Sequence, residues 1–301
     1  MPETLVHLYE ATRAGLEGVP KELPPVWLYD ERGSLLYEEI TRLPDYYLPR
    51  REAEILRAHA SEIAELTQAG TLIELGSGNS RNTRFLLDAL ALERFVPLDV
   101  SEEMLLASAE AVAAAYPRIS VEPVVGDFER DLATLPGKGE RLVALLGSTI
   151  GNLYPEQRAR LLAGLAGEQF LVGIDLVKDV ARLQAAYDDP GGVTEAFARN
   201  ALTAVNRELG ATFEQRRFVY EPRWDPEHEW MDVGFRALVS HTVSIPGLEL
   251  ELELAEGERL RVEVSSKFRR DRFQRELEQA GLTVRGWWTD SADDFAVVLA
   301  S

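Results

Sequence analysis

A short apolar run that ends in glycines and opens into a helix constrains this chain more than any other feature. Thr71-Leu-Ile-Glu-Leu75 reads as a buried strand, Gly76-Ser77-Gly78 as the turn, and residues 82–90 as a helix with Leu86, Leu87 and Leu90 on one face. The pattern then repeats. Strands are expected at 94–99, 121–125, 141–146 and 169–175, separated by helices that start at Ser101 and Pro155. Alternation of this kind specifies an α/β fold with a mostly parallel, Rossmann-like sheet. Pro97 predicts a gap in the hydrogen-bond ladder of the second strand.

After Asp175 the pattern changes. A helix ends near Tyr187 at the break Asp188-Asp-Pro-Gly-Gly192, and another covers about 194–209. Segments at 213–220, 231–245, 248–254 and 259–266 read as antiparallel strands with turns at Pro246-Gly247 and Glu256-Gly257. A helix at 270–280 and strands at 283–288 and 295–300 suit completion of the main sheet. The expected organisation is a cofactor domain of residues 55–190 plus 267–301, with a second, α+β lobe of 1–54 plus 191–266.

The 51 acidic and 32 basic residues give a charge of −19, which argues against nucleic acid as a partner, since phosphate binding needs clustered Lys and Arg. No stretch approaches the roughly 20 apolar residues of a membrane span, so no membrane partner is expected. Met1-Pro-Glu-Thr-Leu has no signal-peptide character, and the cytoplasm is the expected location. The chain has no cysteine and four histidines without ligand spacing, so no metal site is expected.

The glycine corner can hold a nucleotide because its backbone N–H groups point at the ligand. Asp99, 23 residues after Gly76, ends the next strand where a carboxylate can accept ribose hydroxyls. Gly126-Asp127-Phe128 ends the third, where Asp127 could take an adenine amino group. A dinucleotide fingerprint needs a third glycine, and Arg81 stands there; S-adenosylmethionine lacks a pyrophosphate and does not need it. Read singly, Asp99 and Asp127 are equally ordinary turn residues. The fourth strand ends in Gly147-Ser-Thr149-Ile-Gly-Asn152, small and polar, where an acceptor would meet the methyl group. Asn152 can both donate and accept, or could simply cap the helix at Pro155.

Longer motifs are more specific. Leu28-Tyr29-Asp30-Glu-Arg-Gly33-Ser34, Leu43-Pro44-Asp-Tyr46-Tyr47, Gly147-Ser-Thr-Ile-Gly-Asn152, Asp175-Leu-Val-Lys178-Asp179, Ala186-Tyr187-Asp188-Asp-Pro-Gly-Gly192 and Glu263-Val-Ser265-Ser-Lys267-Phe268 resemble the L-histidine Nα-methyltransferases of ergothioneine biosynthesis, from about residue 14 to the end. The resemblance implies a class I methyltransferase fold with a histidine-binding lobe and no metal. It implies that Gly76, Ser77, Gly78, Asn82, Asp99, Asp127 and Phe128 hold S-adenosylmethionine, with S-adenosylhomocysteine as product.

It also carries Tyr46, Asn152 and Tyr187 to the histidine carboxylate and amine, and Glu263 with Ser265 to the imidazole. Tyr29, Tyr37, Val233, Gly147 and Thr149 line the acceptor pocket. The implied substrate is free L-histidine, methylated three times to hercynine by a monomeric enzyme. Tyr29 or Tyr187 could assist proton removal, without a choice between them. Residues two apart on a strand share a face, so Glu263 and Ser265 can reach one ring; read alone, Glu263 pairs as readily with Lys267 or an arginine. Asn82 stands where a basic residue is expected, with Arg81 or Arg84 as substitutes. Val233 stands where methionine is expected. A same-family enzyme acting on tryptophan or another aromatic amino acid, and a non-catalytic S-adenosylmethionine-binding protein, are the alternatives.

Overall fold

A computed structural model describes residues 3–132 and 141–301. Residues 1 and 2, the start of the expected acceptor lobe, and 133–140, within the expected cofactor domain, lie outside the described residues. The elements run α1 (Glu3–Glu17), β1 (Lys21–Glu22), α2 (Glu31–Ile40), α3 (Leu48–Thr67), β2 (Thr71–Leu75), α4 (Arg84–Ala89), β3 (Arg94–Asp99) and α5 (Glu102–Ala115). They continue β4 (Ser120–Val121), β5 (Val124–Val125), α6 (Phe128–Asp131), β6 (Arg141–Leu145), α7 (Pro155–Gly164), β7 (Gln169–Asp175), α8 (Val180–Tyr187) and α9 (Val193–Leu209). The last are β8 (Phe218–Tyr220), β9 (Arg223–Asp225), β10 (Trp230–Ala237), β11 (His241–Ile245), β12 (Leu250–Leu254), β13 (Arg259–Ser266), α10 (Arg270–Gln279), β14 (Val284–Thr289) and β15 (Phe295–Ala300).

The chain forms two compact units, one of Met1–Tyr46 and Asp179–Ser265, the other of Tyr47–Lys178 and Ser266–Ser301. The boundary expected at 54 falls inside α3. That helix turns one stripe inward (Leu48, Ile55, Leu56, Ala60, Ile63), and cutting it would split a continuous apolar face. The boundary expected at 190 lies beyond α8, which the structure gives whole to the first unit.

The second unit is built on a sheet in the order β14-β15-β7-β6-β2-β3-β4, with β5 also on β3. β7, β6, β2 and β3 are parallel, and β15 runs antiparallel between β7 and β14. Leu72, Ile73 and Leu75 of β2 and Leu142, Val143 and Leu145 of β6 are fully buried, as expected for strands covered on both faces. From β2 the chain proceeds outward through β3, then returns to lay β6 on the other side of β2. Strand order therefore reverses between β2 and β6, and ligands in such sheets bind outside the carboxyl ends at that point. Those ends are Leu75-Gly76 and Leu145-Leu-Gly147.

The gap expected at Pro97 lies on one side only. Pairing with β2 continues through Glu74–Pro97, whereas on the other side β3 meets β4 at 94–95 and β5 at 98–99. The third strand is accordingly two short pieces around Glu122-Pro123, because neither Pro97 nor Pro123 can donate to the ladder. Ser101 occupies the N-cap of α5 but its hydroxyl makes no cap bond; Asp99 accepts its N–H instead (2.9 Å).

The first unit holds a sheet in the order β1-β13-β10-β8, with β9 also on β10, and a separate β11–β12 hairpin. The single strand expected over 231–245 is thus two strands in different sheets. In the same unit, Asp30 caps α2 by accepting the Gly33 N–H (2.8 Å) and also takes the Asn200 amide of α9 (2.5 Å). A Cβ on Gly33 would stand 1.7 Å from the Leu28 carbonyl oxygen, so only glycine permits this approach. Tyr29 is held between these two anchored residues.

Candidate active site

In the second unit, Gly76 (φ +63°) and Gly78 (φ +49°) adopt left-handed backbone. Gly78 N–H donates to Asp99 Oδ2 (2.8 Å) and Ser77 N–H to the Leu98 carbonyl (3.0 Å), closing the corner against β3. A Cβ on Gly76 would be 3.7 Å from Thr149 Cγ2 and 3.8 Å from Phe128 Cε1, so Gly76, Phe128 and Thr149 are neighbours. The Ser77 hydroxyl is buried without a hydrogen-bond partner. Asp127 caps α6 by accepting the Glu129 N–H (3.0 Å). Asp99 and Asp127 therefore do perform turn duties, yet each Asp99 oxygen accepts a single backbone N–H and keeps a lone pair. Left-handed glycines, an orphaned buried hydroxyl and a carboxylate with spare acceptor capacity fit the nucleoside part of a methyl donor. Asn82 spends its amide on the Pro49 carbonyl (3.1 Å) and Glu52 (2.8 Å).

Beside this corner, the loop after β6 turns through Gly147 (φ +71°) and Ser148 (φ +61°) into a tight helical turn, Thr149–Asn152. Thr149 Oγ1 donates to the Leu146 carbonyl (2.9 Å). Asn152 is half-buried and does not cap α7; Tyr154 takes the N-cap, its N–H donating to Gln157 (2.9 Å).

The first unit gathers tyrosines. Ring centroids lie 5.9 Å apart for Tyr29–Tyr37, 6.3 Å for Tyr37–Tyr46 and 6.3 Å for Tyr46–Tyr187, all edge-on, the arrangement that ring quadrupoles favour. Phe197 of α9 backs Tyr29 and Tyr37. Tyr187 donates its hydroxyl proton to Ser265 Oγ (2.7 Å), both residues being buried. Burial, then the neighbouring phenols Tyr37 and Tyr187, hold the Tyr46 hydroxyl well above its usual pKa, so it stays a neutral donor. Glu263 and Ser265 lie two apart on β13, and Val233 is buried on the adjacent strand β10. Lys267 pairs with Asp175 (2.8 Å), and Arg259 and Arg261 engage Asp232.

A family profile described as "Histidine-specific methyltransferase, SAM-dependent" matches residues 8–301. The chain belongs to this family. It is 48% identical to a histidine N-alpha-methyltransferase of Mycolicibacterium smegmatis, covering 96% of this chain and 92% of that one. The same values describe its match to a histidine N-alpha-methyltransferase of Mycobacterium tuberculosis. It is 31% identical to ergothioneine biosynthesis protein 1 of Neurospora crassa, over 90% of this chain and 32% of that longer protein. This histidine-specific methyltransferase family member is thus an enzyme that uses S-adenosylmethionine, with the class I α/β fold described above. Among the described residues no helix is long and apolar enough to cross a membrane, and no group of three or more His, Asp or Glu residues could hold a metal ion.

In this methyltransferase, sequence reasoning missed three groups beneath the motifs. Glu52 of α3 is buried, accepts the Gly147 N–H (2.7 Å) and the Asn82 amide, and burial pushes its pKa up to about 7. Glu74 of β2 accepts the Ser80 (2.8 Å) and Thr83 hydroxyls, and burial lifts it to about 8. Tyr220 donates to the Tyr187 carbonyl (2.7 Å). A signal existed for the carboxyls: Glu52 falls on the apolar stripe of its helix, and Glu74 interrupts an apolar strand. Tyr220 had none.

Glu74 gives a pH prediction. Its folded pKa lies above the value near 4.5 that it has when unfolded, so the folded state binds this proton more tightly. The resulting contribution favours folding at low pH and is lost as pH rises from about 4.5 through about 8. Gln at 74 keeps partners for both hydroxyls but does not titrate. The Glu74→Gln variant should show a flatter loss of stability between pH 5 and pH 8 than the native enzyme, by an amount on the order of a few kcal/mol. Denaturant titrations at the two pH values measure it; identical slopes would contradict the assignment.

Proposed function

We propose that this enzyme transfers methyl groups from S-adenosylmethionine to the α-amino nitrogen of free L-histidine. Three successive transfers would give Nα,Nα,Nα-trimethylhistidine, hercynine, with S-adenosylhomocysteine released each time. The observation that carries the reading is the buried Tyr187–Ser265 hydrogen bond, with Tyr46 stacked edge-on to Tyr187 and Glu263 two residues before Ser265. One strand thereby bears a carboxylate and a hydroxyl for the two imidazole nitrogens, and the same hydroxyl is tied to the tyrosine assigned to the amino-acid end. The names of the relatives that share 48% of the residues support histidine as acceptor.

In this reading Gly76, Ser77, Gly78, Asn82, Asp99, Asp127 and Phe128 hold the donor, whose sulfonium supplies an electrophilic methyl carbon. Asp99 takes the ribose hydroxyls with its remaining lone pairs, and Phe128 lies against the glycine corner. Asn152, with its dual hydrogen-bonding capacity, and Tyr46 hold the α-carboxylate and amine; Gly147 and Thr149, on the loop that carries Asn152, line the acceptor side. The amine must lose a proton before it can attack. For an amine titrating two units above ambient pH that costs about 2.7 kcal/mol, small beside the ~7–11 kcal/mol that alignment of the reactants can supply. Tyr187 already donates to Ser265, and Tyr29 is the other phenol in reach of the cluster. The faces of Tyr29, Tyr37 and Tyr46 suit a growing quaternary ammonium.

Val233, smaller than the methionine expected there, favours a second reading in which a bulkier aromatic amino acid is accepted. Initial rates on histidine and tryptophan separate the two. Histidine should be turned over at least tenfold faster per unit concentration, because an unmatched Glu263–Ser265 pair penalises a ring that cannot satisfy both groups. Equal or faster tryptophan methylation would reverse the assignment.

A further inference from the structure

The chain passes between its two units three times, at 46/47, 178/179 and 265/266. Within the second unit, one buried carboxylate is bound to residues at all three passages. Asp175, fully buried at the end of β7, accepts the Tyr47 hydroxyl on both oxygens (3.0 Å each), pairs with Lys178, and pairs with Lys267 at 2.8 Å. Lys178 also donates to the Tyr47 oxygen (2.8 Å) and lies 4.5 Å from the centre of that ring. The backbone of Asp175 joins in. Its N–H donates to Ser148 Oγ in the loop that leads to Asn152 (3.0 Å), and its carbonyl accepts the Phe268 N–H (2.8 Å). The same loop touches the third passage, for a Cβ on Gly151 would stand 2.9 Å from the Ser266 carbonyl oxygen.

Each segment held in this way carries a residue assigned to the acceptor. Tyr46 precedes Tyr47, Ser265 lies two before Lys267, and Asn152 lies four after Ser148. A fully buried anion gripped by two ammonium groups and a phenol is expensive to rearrange, because withdrawing a partner leaves buried charge less fully compensated in a poorly solvating interior. We propose that Asp175 is a positioning residue for methyl transfer, fixing through Tyr47, Lys267 and Ser148 the segments that present Tyr46, Ser265 and Asn152 to the amino-acid substrate. Asp175 touches neither reactant in this role. The inference rests on the acceptor assignment under the preceding heading.

Its test uses steady-state kinetics with histidine and equilibrium binding of S-adenosylmethionine on the full chain. Tyr47→Phe keeps the ring beside Lys178 and removes only the hydroxyl, so it should fold. It should raise the histidine KM roughly tenfold while leaving the S-adenosylmethionine Kd within about twofold, the loss expected for one charge-assisted hydrogen bond. Asp175→Asn should do more in the same direction; if it does not fold, Tyr47→Phe alone decides. Combined with Tyr46→Phe, the Tyr47→Phe effect should be less than multiplicative, since both act on one segment. An unchanged histidine KM, a parallel rise in cofactor Kd, or fully multiplicative effects would overturn the role, each being what a purely stabilising network produces. A native enzyme that leaves histidine unmethylated but transfers methyl groups to another amino acid would defeat the acceptor assignment, and the same KM comparison on that amino acid would then decide the role of Asp175.

Discussion

Replacing Asn152 by alanine should lower kcat for histidine methylation by roughly 10²-fold, the scale of loss caused by about 1 Å of misplacement at a reacting centre. Its position explains the size of the effect. The residue ends the helical turn Thr149–Asn152, and that turn is fixed from several directions. Gly147 is tied to Glu52, Ser148 to Asp175, and Gly151 sits against Ser266 with no room for a side chain. Alanine removes the amide assigned to the amino-acid end, while the contacts of Gly147, Ser148 and Gly151 that fix the turn do not involve that amide. Affinity for S-adenosylmethionine should therefore stay within about twofold, because the donor is assigned to the glycine corner and the acceptor to Asn152. Single-turnover rates and cofactor titration on the same variant check both halves. Equal loss of turnover and cofactor affinity would move Asn152 to the donor's side.

Replacing Glu263 by alanine should act on selection rather than on the chemical step. A hydrogen bond to a charged group contributes about 1.5–3 kcal/mol, so the histidine KM should rise roughly 10- to 100-fold with a smaller change in kcat. Discrimination against other aromatic amino acids should weaken at the same time, since the group that penalises an unmatched ring is gone. The expectation rests on strand geometry: Glu263 stands two residues before Ser265 on β13, and residues two apart on a strand share a face. Kinetics on histidine, tryptophan and phenylalanine measure the change. An unaltered ranking of the three would make Glu263 a structural residue of the sheet.

Much of the fold is legible in the chain because its strands are short apolar runs with hard stops. β2, β3, β7, β13 and β15 begin and end where apolar alternation gives way to Gly, Asp or a charged turn, and each matches the expected span to the residue. The third strand was less legible. Val121 to Val125 looks continuous until Pro97, on a different strand, is seen to withhold a donor from the same ladder. The expected strand over 231–245 is divided because its two halves pair with different partners, β8, β9 and β13 on one side and β12 on the other, which no local period records.

The candidate site divides in the same manner. Motif residues such as Gly76, Asp99 and Ser265 declare themselves by residue type at a strand end or on a strand face. Glu52, Asp175 and Tyr47 do not, because their meaning depends on partners 95, 27 and 128 residues away in the chain. Asp175, Lys178 and Lys267 were visible as conspicuous letters in two separate motifs, yet nothing in either motif says that they meet. Asn82, expected near the donor, also donates its amide to Glu52 and Pro49 of α3, two partners that no local pattern announces.

The most direct measurement is mass spectrometry of free L-histidine incubated with the purified enzyme and S-adenosylmethionine. One, two and finally three added methyl groups, with fragmentation placing all of them on the α-nitrogen and one S-adenosylhomocysteine formed per methyl, is the predicted result. Histidine recovered unmodified while another amino acid gains the methyl groups, or methylation on the imidazole ring, would contradict it.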